Sequence, residues 1–139
     1  MYLGVKVNLM NQEWKVYLDS IDQMDFEMAR RGWIGDYVDP NNFLDLFLCK
    51  GGNNNTGFCD SEYDEMVLRH APRAKTREER FAIFRDAETR LMERMPIIPI
   101  YTYTSNHLVH PSVRGMPPNL MDAVNFKYVS LEPGAAEGE

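Results

Sequence analysis

Long apolar runs are missing from this chain. Although 44% of its residues are hydrophobic, none of its stretches approaches the ~18 consecutive apolar residues of a membrane-spanning helix. Positive charge is scarce as well: 15 Lys and Arg stand against 21 Asp and Glu, a net charge of -6. That sign is wrong for a phosphate backbone and excludes nucleic acid as a partner. The densest basic stretch, Arg69, Arg73, Lys75, Arg77 and Arg80, is interleaved with Glu78 and Glu79 and reads as a solvated helix face. Met1 to Val5 has neither the basic n-region nor the unbroken apolar core of a signal peptide. In a chain complete in itself, that points to the cytoplasm.

Catalytic constellations are equally sparse. The three histidines, His70, His107 and His110, belong to no HExxH pair, and there is neither a serine elbow nor a phosphate-binding glycine loop. Asp36 and Asp39 invite comparison with a calcium loop, but the third, fifth and sixth residues from Asp36 are Val38, Pro40 and Asn41, which breaks that pattern. A glycosidase-like carboxylate pair finds no other support. Cys49 and Cys59 lack nearby histidines and make a poor zinc site. They read either as a disulfide around a Gly/Asn-rich loop or as two free thiols. No enzyme, cofactor or metal is expected.

What remains is the material of one domain. A chain of 139 residues buries about two-thirds of its unfolded surface. Val5, Val7 and Leu9 alternate with polar residues and predict a strand. Asn11 is placed to cap a helix to about Asp22 with Trp14, Leu18 and Ile21 on a core face. A second strand is expected over Asp25 to Gly32, completing a βαβ unit. Pro40 suits the first turn of a short helix through Phe43, Leu44, Phe47 and Leu48. Gly51 to Gly57 is a loop, and Asn54-Asn-Thr56 within it is a sequon of little weight. A helix over Ser61 to His70 turns Tyr63, Met66 and Val67 inward. Thr76-x-x-Glu79 is a capping box before the longest helix, with Phe81, Phe84, Ala87, Glu88, Leu91 and Met95 at helical steps. Ile97 to Tyr103, Asn106 to His110 and Phe126 to Leu131 predict further strands, and 133–139 a fraying tail.

The segment Arg31-Gly-Trp-Ile-Gly-Asp-Tyr-Val-Asp39 carries most of the chemistry. Gly32 and Gly35 allow close approach of another backbone. Trp33 offers a flat apolar wall, and Asp36 a fixed negative charge. A peptide read without regard to sequence needs such a set: a carboxylate for its ammonium, open backbone for its main chain, and roomy side-chain pockets. Asp36 supplies the first, the backbone through Gly32, Ile34 and Gly35 the second, and Trp33 a pocket wall. The same spacing is also that of a tight turn around a core Trp.

Together with Asn11-Gln-Glu-Trp14, Gly51-Gly-Asn-Asn-Asn-Thr-Gly-Phe-Cys-Asp60, Ser61-Glu-Tyr-Asp-Glu-Met66, Thr76 to Arg80, Met95-Pro-Ile-Ile-Pro-Ile-Tyr101 and Asn119 to Val129, this segment resembles the C-terminal part of the oligopeptide/dipeptide-binding proteins. These are the extracytoplasmic solute-binding subunits (family 5) of peptide ABC transporters. The likeness runs from about Leu3 to Leu131, but family members are several times longer. It implies an α/β fold forming part of the C-terminal lobe of a two-lobed, type II-like periplasmic binding protein. Residues 1–110 would belong to that lobe, 111–132 would return toward the N-terminal lobe, and 133–139 would be a flexible tail. A signal peptide would lie upstream in a longer protein, so its absence here carries no information.

The resemblance also implies roles. The Asp of the Gly-Trp-x-x-Asp segment holds the ligand's amino terminus, which assigns Asp36 as the amine anchor. Arg30 falls where some members meet the ligand's carboxylate. Tyr103 is a further contact or, equally, a tyrosine packed at a sheet edge. Some dipeptide-binding members carry a similarly placed cysteine pair, which implies a Cys49–Cys59 bridge. Partners would be a peptide, the missing N-terminal lobe and an ABC permease in the membrane, at a periplasmic or extracytoplasmic location. Self-association through uncovered surface is expected too. The alternatives are a binding protein for a nickel complex, sugar or haem, and a stand-alone interaction module whose aromatic surface docks a partner protein.

Overall fold

In a computed structural model, which describes residues 4–132, the elements run α1 (Trp14–Asp22), α2 (Asn41–Leu44), a 3-10 turn (Asp45–Phe47), α3 (Ser61–Glu65), a π-helical turn (Met66–His70), α4 (Ala71–Arg73), α5 (Arg77–Arg94), β1 (Val113–Arg114), a 3-10 turn (Phe126–Tyr128) and β2 (Ser130–Leu131). The core lies between α2 and α5. Leu44, Tyr63, Val67, Ala71, Phe84, Ala87 and Leu91 are buried together, with Phe47, Leu48, Phe58, Met66 and Ile83 packed around them. Burying one such large side chain contributes about 1.5–3 kcal/mol. Tyr63 is fully buried, and its hydroxyl donates to the Leu44 carbonyl at 2.5 Å. Burial pushes that phenol above its ordinary pKa.

Local chemistry sets the helix ends. Thr76 is extended, and its Oγ1 accepts from the Glu79 N–H at 3.1 Å. The Glu79 carboxylate reaches back to the Lys75 N–H at 2.7 Å, one residue beyond the usual box. Met95, left-handed at φ 47°, ends α5 and returns its N–H to Leu91 and Met92. Pro72 has no N–H for the carbonyl four residues back, and the chain widens into the π turn just before it. Asp60 caps α3 through the Glu62 and Tyr63 amides, and its other oxygen meets Arg90 of α5 at 2.8 Å. The Arg90 hydrogen bond holds the Asp60 carboxyl below its usual range.

Several expectations fail here. Residues 5–9 and 25–32 form no strand, so the βαβ unit is not made. Residues 97–103 and 106–110 are likewise unpaired. Strands exist only as hydrogen-bonded neighbours, and the one pairing among the described residues is antiparallel, β1 with β2. Of 126–131, the first half is a 3-10 turn and only Ser130–Leu131 is strand. The cap of α1 is Glu13, not Asn11: its carboxylate accepts from Lys15 and Val16. Trp14 is not core, being 66% exposed and stacked on Tyr17; of the α1 face only Ile21 is buried. Met95 also points outward. The predicted tail, 133–139, lies outside the described residues.

Candidate functional site

Pro40 opens α2, and Asp39 just before it fixes the helix in place. Its Oδ1 accepts from the Asn41 N–H at 2.9 Å, and both carboxylate oxygens take the guanidinium of Arg80 on α5, at 2.6 and 2.8 Å. Arg80, read from sequence as part of a solvated basic face, is thus half-buried and paired, and lies 4.5 Å over the Phe84 ring. Its hydrogen bond draws the Asp39 carboxyl below the usual range. On the helix so anchored, Asn42 is buried and its Oδ1 accepts twice: from the Trp33 indole at 2.9 Å and from the Asp36 backbone N–H at 3.2 Å.

The loop from Trp33 to Asp36 therefore lies against α2. A Cβ on Gly35 would sit 3.3 Å from the Phe43 ring and 3.4 Å from Asn42 Oδ1, so the loop backbone packs closely on α2 at this point. Trp33 is half-buried with its indole N–H satisfied, while Ile34 is 82% exposed. The Asp36 side chain is exposed, and among the described residues no Lys, Arg or His lies within ion-pair distance of it. Asp45, half-buried and directly following α2, has its carboxyl pushed up by burial and by the charge of Asp36.

Arg30, Gly32 and Tyr103 form a second group. The Arg30 guanidinium donates to the hydroxyls of Tyr101 at 3.0 Å and Tyr103 at 2.6 Å, and the two rings meet edge to face. These phenolic oxygens, with the Tyr101 hydrogen bond as the main cause, hold Arg30 further in its charged form. The Tyr103 ring lies over Gly32, where an added Cβ would sit 3.1 Å from it. Tyr17 of α1 donates to the Arg30 carbonyl at 2.8 Å. Next along, Arg31 donates to Asn55, whose amide reaches Asp22 at 3.4 Å.

The Asn-rich loop is organised rather than loose. Cys49 and Cys59 are joined by a disulfide. Between them, the Asn54 amide donates to the carbonyls of Phe47, Leu48 and Phe58 at 2.8–3.1 Å. Sequence reasoning missed Asn42, Tyr101 and Asn54. Tyr101 meets a partner 71 residues away and Asn42 one 9 residues away. Asn54 bonds to carbonyls four to seven residues off within an irregular loop, so no helical or strand periodicity marks any of them.

The profile of the bacterial extracellular solute-binding proteins, family 5 (middle region), matches residues 2–55. The chain is 43% identical over 124 residues to the periplasmic murein peptide-binding protein of Escherichia coli, covering 89% of this chain and 23% of that protein. It is 38% identical over 115 residues to the oligopeptide-binding protein of Bacillus subtilis, covering 82% and 21% respectively. The solved structure of the Escherichia coli murein tripeptide-binding protein superposes with a TM-score of 0.80 at 38% identity, covering 93% of this chain and 25% of that one. The chain thus spans about a quarter of these relatives' length.

Proposed function

Because this chain belongs, over the stretch it spans, to the bacterial extracellular solute-binding proteins of family 5, we propose that it forms one wall of a peptide-binding cleft in a protein serving an ABC transporter outside the cytoplasm. Residues 1–110 would belong to the C-terminal lobe, and 111–132 would return toward the other lobe, which closes on the ligand by a hinge motion. The observation carrying this reading is Asp36: an exposed carboxylate with no ion-pair partner among the described residues, its backbone tied to Asn42 beside Trp33. Such a group suits a peptide's ammonium. Arg30, Gly32 and Tyr103 would line the next stretch of ligand, with Arg30 meeting the carboxylate and Ile34 offering main chain.

The test is a chimera in which residues 4–132 replace the matching stretch of the Escherichia coli relative, titrated calorimetrically with free-amine and N-acetylated peptides. Preference for the free amine is expected. Equal binding of both refutes Asp36 as the anchor, and no binding of either refutes peptide capture by this segment.

A further inference from the structure

We infer that Asn42 is the positioning residue of the cradle: it aims the Asp36 carboxylate and the Trp33 ring by accepting a hydrogen bond from each end of the loop they share. The inference rests on the peptide-capture reading for its consequence, but its geometry stands independently. Asn42 is 3% exposed, the one buried polar side chain among the described residues apart from the core tyrosine Tyr63. A buried amide oxygen has two lone pairs and is costly to leave unmatched. Here both are used, on the Trp33 indole at 2.9 Å and on the Asp36 N–H at 3.2 Å.

These two donors are three residues apart, so fixing both leaves Ile34 and Gly35 little freedom between them. Gly35 lies in the same contact, where a Cβ would sit 3.3 Å from the Phe43 ring and 3.4 Å from Asn42 Oδ1. Asn42 is itself held from below. Its N–H donates to the Asp39 carbonyl at 3.1 Å, and Asp39 is gripped by Arg80 of α5. A continuous path thus runs from the core helix through Asp39 and α2 to the loop. The chemistry explains the residue type as well. Aspartate would accept the same two bonds but add a buried charge near Asp36 and Asp45, and leucine would accept neither.

Hydrogen exchange followed by NMR on the 139-residue chain tests this. In the wild type the Trp33 indole and the Asp36 amide should both exchange slowly, in contrast to the exposed Trp14 indole; an unprotected Asp36 amide overturns the inference. In Asn42→Ala both should exchange at least about fivefold faster, the equivalent of one net hydrogen bond, while α5 amides keep their rates. Acceleration of only one of the two, or equal acceleration throughout α5, overturns it. Should Asn42→Ala not fold, Trp33→Phe decides: it removes one donor only, so Asp36 should stay protected, and loss of protection would mean the loop hangs on Trp33 instead. In the chimera, Asn42→Ala should weaken free-amine peptides about tenfold and acetylated ones little. A chimera that binds no peptide defeats the peptide reading and leaves the exchange result to judge Asn42.

Discussion

Arg80 grips Asp39 through both carboxylate oxygens, at 2.6 and 2.8 Å, and so ties the start of α2 to the middle of the core from 41 residues away. The pair is about two-thirds shielded, with side chains 32% and 25% exposed, and bidentate geometry makes such pairs the stronger kind. Asp39→Asn should destabilise by about 1–2 kcal/mol, measured by urea unfolding at neutral pH. Since Asp39 is held below its unfolded pKa, the contribution is present above the usual carboxylate range and fades as pH falls through the folded value. The wild-type and variant curves should therefore converge in acid. A constant gap across the whole range would contradict the assignment.

Asp45 should behave in the opposite sense. Burial and the charge of Asp36 raise its pKa, so ionising it costs folding free energy, and the chain loses stability as pH rises from the unfolded value through the folded one. Asp45→Asn should raise the urea midpoint at neutral pH and have little effect in acid. Asp36→Asn should lower the Asp45 pKa toward its ordinary value, which carboxyl-carbon NMR titration reads directly.

The Cys49–Cys59 bridge closes a short loop. Its removal by paired Ser substitution should cost about 3 kcal/mol by loop-closure entropy. Retained Asn54 contacts to Phe47, Leu48 and Phe58 would reduce that figure. Alkylation detected by intact mass should reach both cysteines only after reduction. Modification without reductant would show that the bridge is absent in solution.

Asp36→Asn in the chimera keeps shape and removes charge. A buried charge left unpaired in a closed cleft costs on the order of 2–5 kcal/mol, so free-amine peptides should bind roughly 30-fold more weakly or worse. N-acetylated peptides should lose little. Equal losses for both would point to a structural effect of the substitution.

Uncovered apolar surface predicts self-association. Val5, Val7, Leu9, Ile100, Leu108 and Leu120 are all more than half exposed, and the chain spans only about a quarter of its relatives. Such faces pair or swap when nothing covers them. Light scattering should give a mass above 16.1 kDa that rises with concentration. A steady monomer across a wide range would refute it.

The amino-acid sequence by itself determined the helical core. Thr76, Glu79 and the apolar steps through Phe84, Ala87 and Leu91 act within a few residues of one another, so α5 forms as its local pattern predicts. The Tyr63 and Val67 face follows from the same kind of spacing. The strands did not, because alternation at Val5, Val7 and Leu9 prepares a backbone for pairing but supplies no neighbour. Tertiary structure alone decided which polar groups meet. Asn42 with Trp33, Asp39 with Arg80, and Arg30 with Tyr101 and Tyr103 are separated by 9, 41, 71 and 73 residues. A side chain's partner at such range is chosen by how the loops and helices come together in space, and no local periodicity encodes it.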